Sequence, residues 1–341
     1  MTSLQKTLEP KKCLVLGGDS FMGSHLVDDL LARGHDVRVF DIFPLGKIKN
    51  IRHLKGKIPF YKGHLLERWR LARALRGVDV VFHFTSLSTP ASTAHNPQEE
   101  IRLNLKGTLQ LLDLCVKEGV KQIIFPSSGG TVYGNALEEV ASETTQMRPL
   151  SPYAVTKLTI EEYLHFYRRQ YGLDFIIYRI ANPYGERQDP DGIQGVIPIF
   201  MKHMMKGETI TLYGNTVRDY VYVKDVTGFI AENFSLPHKN TTYNIGSGRG
   251  VALFELILML AKTTGSMPRI KRLDKRPFDV QKIVLDITRA NEEFGYYPMT
   301  SLEVGLEKTY VVLKEKLMHE PLARTSWFDM DFIKFIKWNR V

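Results

Sequence analysis

The feature that most constrains the fold lies near the start of the chain. Cys13-Leu14-Val15-Leu16 is an apolar run of buried-strand type, and it passes directly into Gly17-Gly18-Asp19-Ser20-Phe21-Met22-Gly23. Residues 24–33 then place apolar groups at helical spacing, and 36–40 form a second strand pattern that ends on Asp41, 18 residues beyond Gly23. A strand entering a helix through a glycine turn aims backbone N–H groups and the positive end of the helix dipole at one point, which suits a pyrophosphate. A carboxylate after the following strand accepts the hydroxyls of an adenosine ribose and repels a 2'-phosphate. The register therefore points to a dinucleotide site of NAD type, lined by Gly17, Gly18, Ser20, Phe21, Met22, Gly23 and Asp41.

The alternation continues, with strand patterns at 58–62, 78–84, 122–125 and 175–179 separated by helical ones at 67–75, 97–117 and 152–171. This order predicts an α/β fold, a Rossmann-type doubly wound parallel sheet with helices on both faces and right-handed crossovers. After Arg179 the pattern loosens into turn-rich segments at 182–185 and 189–192, a helix at 197–206 and a strand at 209–213. Runs at 220–223 and 242–245 lead back toward the sheet. The expectation is a smaller, interleaved C-terminal substrate domain. The NAD-binding domain takes 1–182, with about 219–245 and 280–290 added; the second domain takes 183–218, 246–279 and 291–341.

A chain of 341 residues, 43% apolar and 24% charged, can bury a large core. Its net charge of +9 favours an anionic ligand, but the Lys and Arg are scattered, so nucleic acid is not the expected partner. Cys13 and Cys115 lie far apart in apolar runs and read as buried free thiols of a reducing compartment. No metal-ligand spacing occurs. The polar N-terminus and the lack of an 18-residue apolar run predict a cytoplasmic protein.

Chemistry enters at Ser151-Pro152-Tyr153-Ala154-Val155-Thr156-Lys157, which opens a helical pattern. Tyr153 and Lys157 stand four residues apart, on one face of that helix. A phenol ordinarily titrates near 10, and a neighbouring ammonium favours the phenolate, so Tyr153 is expected to act as a base with Lys157 lowering its pKa.

With these motifs in order from about 12 to 312, the chain resembles the extended short-chain dehydrogenase/reductases that modify nucleotide sugars, closest to the UDP-hexose 4-epimerases. The resemblance implies that His83-Phe84-Thr85-Ser86 and Ser88 line the nicotinamide side. It places His64 and Leu65 near the adenine and Asn104 and Pro183 against the cofactor. It implies that Asn182 touches the sugar diphosphate, that Val196, Ile197, Leu212 and Tyr213 wall the nucleobase, and that Arg218 and Arg276 grip the diphosphate, with Asp279 toward the ribose. Two guanidiniums forking onto a diphosphate are a sound way to hold it. The implied reaction is NAD-dependent C4 epimerisation of a UDP-hexose or UDP-N-acetylhexosamine by a homodimer, paired through helices near 97–117 and 152–171.

The chain departs from the family pattern in places. Ser20 stands for the middle glycine of the turn, and His64 for an Asp near the adenine. The family's catalytic Ser/Thr position falls on Gly129; Thr131, ranked first, or Ser128 is expected to supply the hydroxyl. Dehydratases of the superfamily tend to carry an Asp-Glu pair where this chain has Gly130-Thr131, which argues against 5,6-elimination. A dehydratase or 4-keto-sugar reductase, and a non-catalytic NAD/nucleotide-sugar sensor, are the rival readings. Hydroxyl-rich 87–93 is read as facing the sugar, and Ile283 as leaving room at its C2. The aromatic and basic tail 327–341 is expected to dock on its own domain or a partner subunit rather than on a membrane.

Overall fold

The computed structural model describes residues 9–42, 48–86, 88–93 and 96–319; Leu87 and the tail 327–341 lie outside the described residues. The first part of the chain runs β1 (Lys12–Leu16), α1 (Phe21–Ala32), β2 (Asp36–Asp41), β3 (Phe60–Lys62), α2 (Arg68–Leu75), β4 (Val80–His83), α3 (Pro90–Thr93) and α4 (Pro97–Glu100). A π-helical turn, Ile101–Leu105, leads to α5 (Lys106–Glu118), β5 (Gln122–Ser128), α6 (Pro152–Tyr171) and β6 (Asp174–Ile180). There follow β7 (Asn182–Tyr184), α7 (Val196–Met205), β8 (Thr209–Tyr213), β9 (Val217–Tyr222), α8 (Val223–Asn233), β10 (Thr242–Ile245), β11 (Gly250–Ala252), α9 (Leu253–Thr264), β12 (Arg269–Leu273), β13 (Lys282–Ile283), α10 (Thr288–Phe294) and α11 (Leu302–His319).

Among the described residues, seven strands form one wholly parallel sheet in the order β10-β6-β5-β4-β1-β2-β3. Strand pleating divides β1 between two cores. Cys13 and Val15 pack with α1, α8 and the aromatic residues Phe229 and Phe234, while Leu14 and Leu16 pack with α2, α5 and α6. A strand buried on both faces has to be apolar throughout, which is why β1 reads as a run rather than an alternation. The sheet order reverses between β1 and β4, and in such sheets the crevice beyond the carboxyl ends at that point is where ligands bind.

The later part of the chain builds a second sheet, β11-β9-β13 with β7 on β9, and a parallel pair, β12-β8. These pack with α7, α9 and α11 around a third core that includes Phe200, Met201, Leu212 and Leu256. β10 departs from this region to close the edge of the main sheet against β6.

Candidate active site

The glycine turn is forced by close packing of backbone. Gly17 has φ +76°, and a Cβ on it would lie 3.0 Å from the Phe84 carbonyl and the Thr85 amide. A Cβ on Gly18 would meet Val39 at 2.6 Å, and one on Gly23 would enter the Gly17 carbonyl oxygen. Ser20, extended at φ −70° and ψ 171°, caps α1: its Oγ accepts from the Gly23 amide at 3.2 Å. The hydroxyl that replaces a glycine here thus completes the helix terminus, and its own hydrogen stays available to an acceptor. Asp41 ends β2, buried, accepting from the Asp19 amide at 3.0 Å and the Ile42 amide at 2.7 Å. Asp19 in turn accepts from the backbone amides of Lys49, Asn50 and Ile51, so turn and β2 form one rigid cradle. A cradle that tolerates no Cβ, a helix N-terminus and a ribose-side carboxylate fit a dinucleotide.

His64 starts the α2 connection, its amide donating to Glu67 at 2.7 Å, and burial lowers its pKa. Leu65 is buried under Gly107, so its side chain is core; its carbonyl accepts from Gln110 at 2.6 Å. Phe21 meets His25 edge-on at the start of α1, and Met22 packs into the core.

Facing the carboxyl end of β4, the π-helical turn sets Asn104 inward. Its Nδ2 donates to Ser88 Oγ at 2.8 Å and to the Glu100 carboxylate at 3.1 Å. His83 Nε2 lies 2.8 Å from Thr108 Oγ1, which donates to the Asn104 carbonyl; burial and Lys157 pull His83 down to about 3, so it is neutral. His83, Thr85, Ser86, Glu100, Asn104 and Lys157 share one small cavity.

Local sequence fixes α6 and with it the couple. Ser151 caps the helix through the Ala154 amide, Pro152 opens it and Gly172 ends it at φ +70°. Tyr153 and Lys157 consequently occupy its first turns, beside the end of β5. Lys157 is buried, its Nζ donating to the Pro126 carbonyl at 2.9 Å and lying 4.5 Å from the Phe125 ring and 5.8 Å from the Tyr153 ring. Burial pulls it down to about 8, opposed by Glu100 and Glu161. Burial pushes the Tyr153 phenol up to about 12 and Glu100 pushes it further, against hydrogen bonds to Ser128 and Ser86. This corrects the expected depression: burial is the largest influence on the phenol, and Glu100 adds to it.

The hydroxyls that hydrogen-bond the phenol are Ser128 and Ser86, so of the two expected candidates Ser128, ranked second, is the one that reaches it; Thr131 Oγ1 donates back to the Ser128 carbonyl at 3.4 Å. Gly129 could not carry the missing group without rearrangement, because its Cβ would lie 2.5 Å from Leu285 and 2.8 Å from the Arg179 carbonyl. A Cβ at Gly130 would point at the Asn182 amide, 3.4 Å away.

Beneath the couple lies a buried polar network that sequence reading did not find. Arg179 forks onto Glu161, with Nη2 2.6 Å from Oε2, and Ser127 donates to the same carboxylate. Arg179 also donates to Tyr133, whose phenol donates to Asn244 Oδ1 at 2.6 Å. The network ties α6 to β5, β6 and β10, and so fixes Lys157 one turn from Glu161. Glu100 and Phe278 were also missed. The signal for Glu161 was legible, an acid one turn after Lys157, but its partner Arg179 comes from a different element.

Across the crevice, β8, β9 and the segment before β13 meet. Arg276 donates to Asp279 from Nε at 2.7 Å and Nη2 at 3.1 Å, and its guanidinium lies 4.5 Å from the Tyr213 ring and 5.1 Å from Phe278. Arg218 lies in the same electrostatic neighbourhood, donating to the Val217 carbonyl at 3.0 Å; burial holds its pKa below the usual value, opposed by Tyr220 and Asp279 and assisted by Arg276. Asp279, expected toward a ribose, is here the partner of Arg276. Tyr213 and Val196 remain partly open, whereas Ile197 and Leu212 are core side chains. Asn182 donates to the Asp219 carbonyl at 3.0 Å and stands opposite Gly130; the Pro183 carbonyl accepts from Gln188. Ile283, read as leaving room at the sugar C2, is buried in the main core. Among the described residues there is no cluster able to hold a metal, and no helix is long and apolar enough to cross a membrane.

Comparison with known proteins gives a consistent picture. The model of the NAD dependent epimerase/dehydratase family matches residues 13–246. The UDP-glucose 4-epimerase of Mycolicibacterium smegmatis is 32% identical over 315 residues, covering 89% of this chain and 99% of that protein. The Thermus thermophilus UDP-glucose 4-epimerase, solved in complex with NAD, superposes with TM-score 0.82 at 35% identity, over 89% of this chain and 98% of that one. The Thermotoga maritima UDP-glucose 4-epimerase, solved with UDP-glucose, does so with TM-score 0.83 at 37% identity, over 89% and 99%. From glycine cradle to Tyr-Lys couple, and along most of its length, the chain belongs to the NAD dependent epimerase/dehydratase family.

Proposed function

We propose that this protein interconverts the C4 epimers of a UDP-hexose or UDP-N-acetylhexosamine through a 4-keto intermediate. The observation that carries the reading is the juxtaposition of the Tyr153 phenol with the Ser128 hydroxyl at the end of β5, beside a Gly129-Gly130 stretch that offers no carboxylate. Bound NAD supplies the oxidation and re-reduction at the sugar C4. Tyr153 accepts the proton of the C4 hydroxyl and returns it once its phenolate is favoured, against burial, by Lys157 and by the positive charge the oxidised cofactor would bring, and Ser128 passes a hydrogen bond between the two oxygens. Lys157, held by the Pro126 carbonyl, keeps a positive charge beneath the phenol and faces the nicotinamide ribose. Asp41 takes the adenosine ribose, the Gly17–Gly23 cradle the pyrophosphate, and Phe84, Thr85, Ser86, Ser88, Asn104 and Pro183 surround the nicotinamide.

Arg218 and Arg276 anchor the UDP diphosphate, with Tyr213 and Val196 against the base, while the hexose turns to present its other face. Arg276 reaches the diphosphate by relaxing its hold on Asp279. Dehydratases of the superfamily tend to carry a carboxylate pair at the positions of 130–131, and the glycine and threonine that stand there argue against 5,6-elimination. The cofactor half is assigned to 1–182 with 219–245 and 280–290, and the nucleotide-sugar half to the remainder.

The protein is further read as a cytoplasmic homodimer. Solvent-facing Val155, Tyr163 and Phe166 share one side of α6, which supports pairing through α5 and α6, and the buried free thiols Cys13 and Cys115 suit a reducing compartment.

The test is to incubate the protein separately with UDP-glucose, UDP-N-acetylglucosamine and UDP-glucuronate in heavy water and assign products by proton NMR. Inversion at C4 with no deuterium on carbon is the expected result; exchange at C5 indicates elimination, and stoichiometric use of added NADH a reductase. Tyr153→Phe is expected to lose about 10²- to 10⁴-fold in kcat. Wild-type binding of UDP-hexose by Tyr153→Phe, with no inversion by either protein, would turn the reading to a sensor.

A further inference from the structure

Lys157 carries a charge in a place with little water, and among the described residues two carboxylates act on it. Glu161, one turn along α6, is already committed: Arg179 forks onto it and Ser127 donates to it. The other is Glu100, the last residue of α4, 2% exposed, where the helix passes into the π-helical turn. One neutral hydrogen bond from Asn104 Nδ2, at 3.1 Å, reaches its carboxylate. An amide alone does not compensate a buried carboxylate, which calls for a cation.

The neighbours identify that cation. From α6 the titratable groups facing Glu100 are Lys157 and Tyr153, and from β4 it is His83, which is neutral. α3 packs nearby and contributes none. On its own stretch, Arg102 pairs with Glu99 at 2.6 Å. Lys157 and Glu100 line the same small cavity, and the charge of Glu100 acts on both members of the couple.

We propose that Glu100 is a positioning residue of this site, the buried counter-charge that keeps Lys157 an ammonium and so sets the pH range in which the Tyr153-Lys157 couple works. The π-helical turn follows directly on Glu100; Asn104, four residues later within it, donates to the Glu100 carboxylate, while Glu99 is taken by Arg102. The proposal rests on the epimerase reading for its kinetic consequence but not for the counter-charge itself, and two experiments separate them.

The first needs no catalysis. In Lys157→Met the carboxylate is buried without its cation. The melting temperature of this variant at neutral pH should therefore lie below that of wild type, and Glu100→Gln in the same background should raise it again. A double variant no more stable than Lys157→Met overturns the proposal. The second is kinetic. Glu100→Gln retains an acceptor for Asn104 but removes the charge that raises both groups, so both limbs of the kcat/KM pH profile should move to lower pH. Glu100→Asp should restore them toward wild type. A uniform loss of rate with unmoved limbs marks Glu100 as merely structural. Absence of any activity in wild type removes the epimerase reading and leaves the melting experiment to decide on the counter-charge.

Discussion

Two arginine-carboxylate pairs, one in each half of the molecule, have the same fork geometry and opposite surroundings. Arg179–Glu161, under the cofactor half, has side chains 6% and 2% exposed, and further bonds from Ser127 and to Tyr133 saturate it. Arg276–Asp279, at the mouth of the substrate half, is 39% and 15% exposed, with the guanidinium over the Tyr213 and Phe278 rings. A buried pair cannot exchange partners, because separating it leaves an uncompensated charge where water cannot reach. A pair at the surface is screened and worth little, so its arginine can trade one anion for another. Burial, not residue type, makes the first pair a fastening and the second a candidate hand for a diphosphate.

That contrast can be broken at either end. The largest effect is expected from Glu161→Gln, which strands Arg179; unfolding in urea should show a loss of about 3–5 kcal/mol. Should the loss stay below about 1 kcal/mol, the buried pair is no fastening. Next is Arg276→Ala. Losing a charge-assisted contact of about 2 kcal/mol corresponds to roughly 30-fold in KM for the nucleotide sugar, with kcat and the urea midpoint nearly unchanged. A fall in kcat with constant KM would place Arg276 outside the diphosphate site. The smallest effect belongs to Asp279→Asn, where stability measured by the same urea titration should change by less than about 1 kcal/mol, since the pair removed is half open to water. A larger loss would make this pair structural too and erase the distinction.

The cofactor half was readable because its rules are local. The strand run of β1, the glycine turn and the ends of α6 are decided within a few residues, by the φ of Gly17, the capping of Ser20 and Ser151, and the stop at Gly172. The helix pattern across 97–117 was also visible, but the π-helical turn inside it was not, since one extra residue per turn barely alters the spacing of apolar groups. Tyr153 and Lys157 were legible as a couple, while the direction of the phenol's pKa was not. Spacing says that an ammonium is near; only the packing of β5, α4 and the π-helical turn says how much burial and which carboxylate oppose it.

The substrate half was harder for the same reason. Arg218, Tyr213 and Arg276 come from β9, β8 and the stretch before β13, and their meeting depends on strand pairings across distant parts of the chain. Sequence by itself determined the layered sheet, the dinucleotide cradle and the Tyr153-Lys157 face, because backbone sterics and helical periodicity act over a few residues. Tertiary structure alone decided that Ser128 rather than Thr131 reaches the phenol, that Asp279 is taken by Arg276, and that Glu100 turns inward beside Lys157. Those outcomes depend on burial and on which side chains arrive from elsewhere, and electrostatic energies follow distance in space rather than distance along the chain.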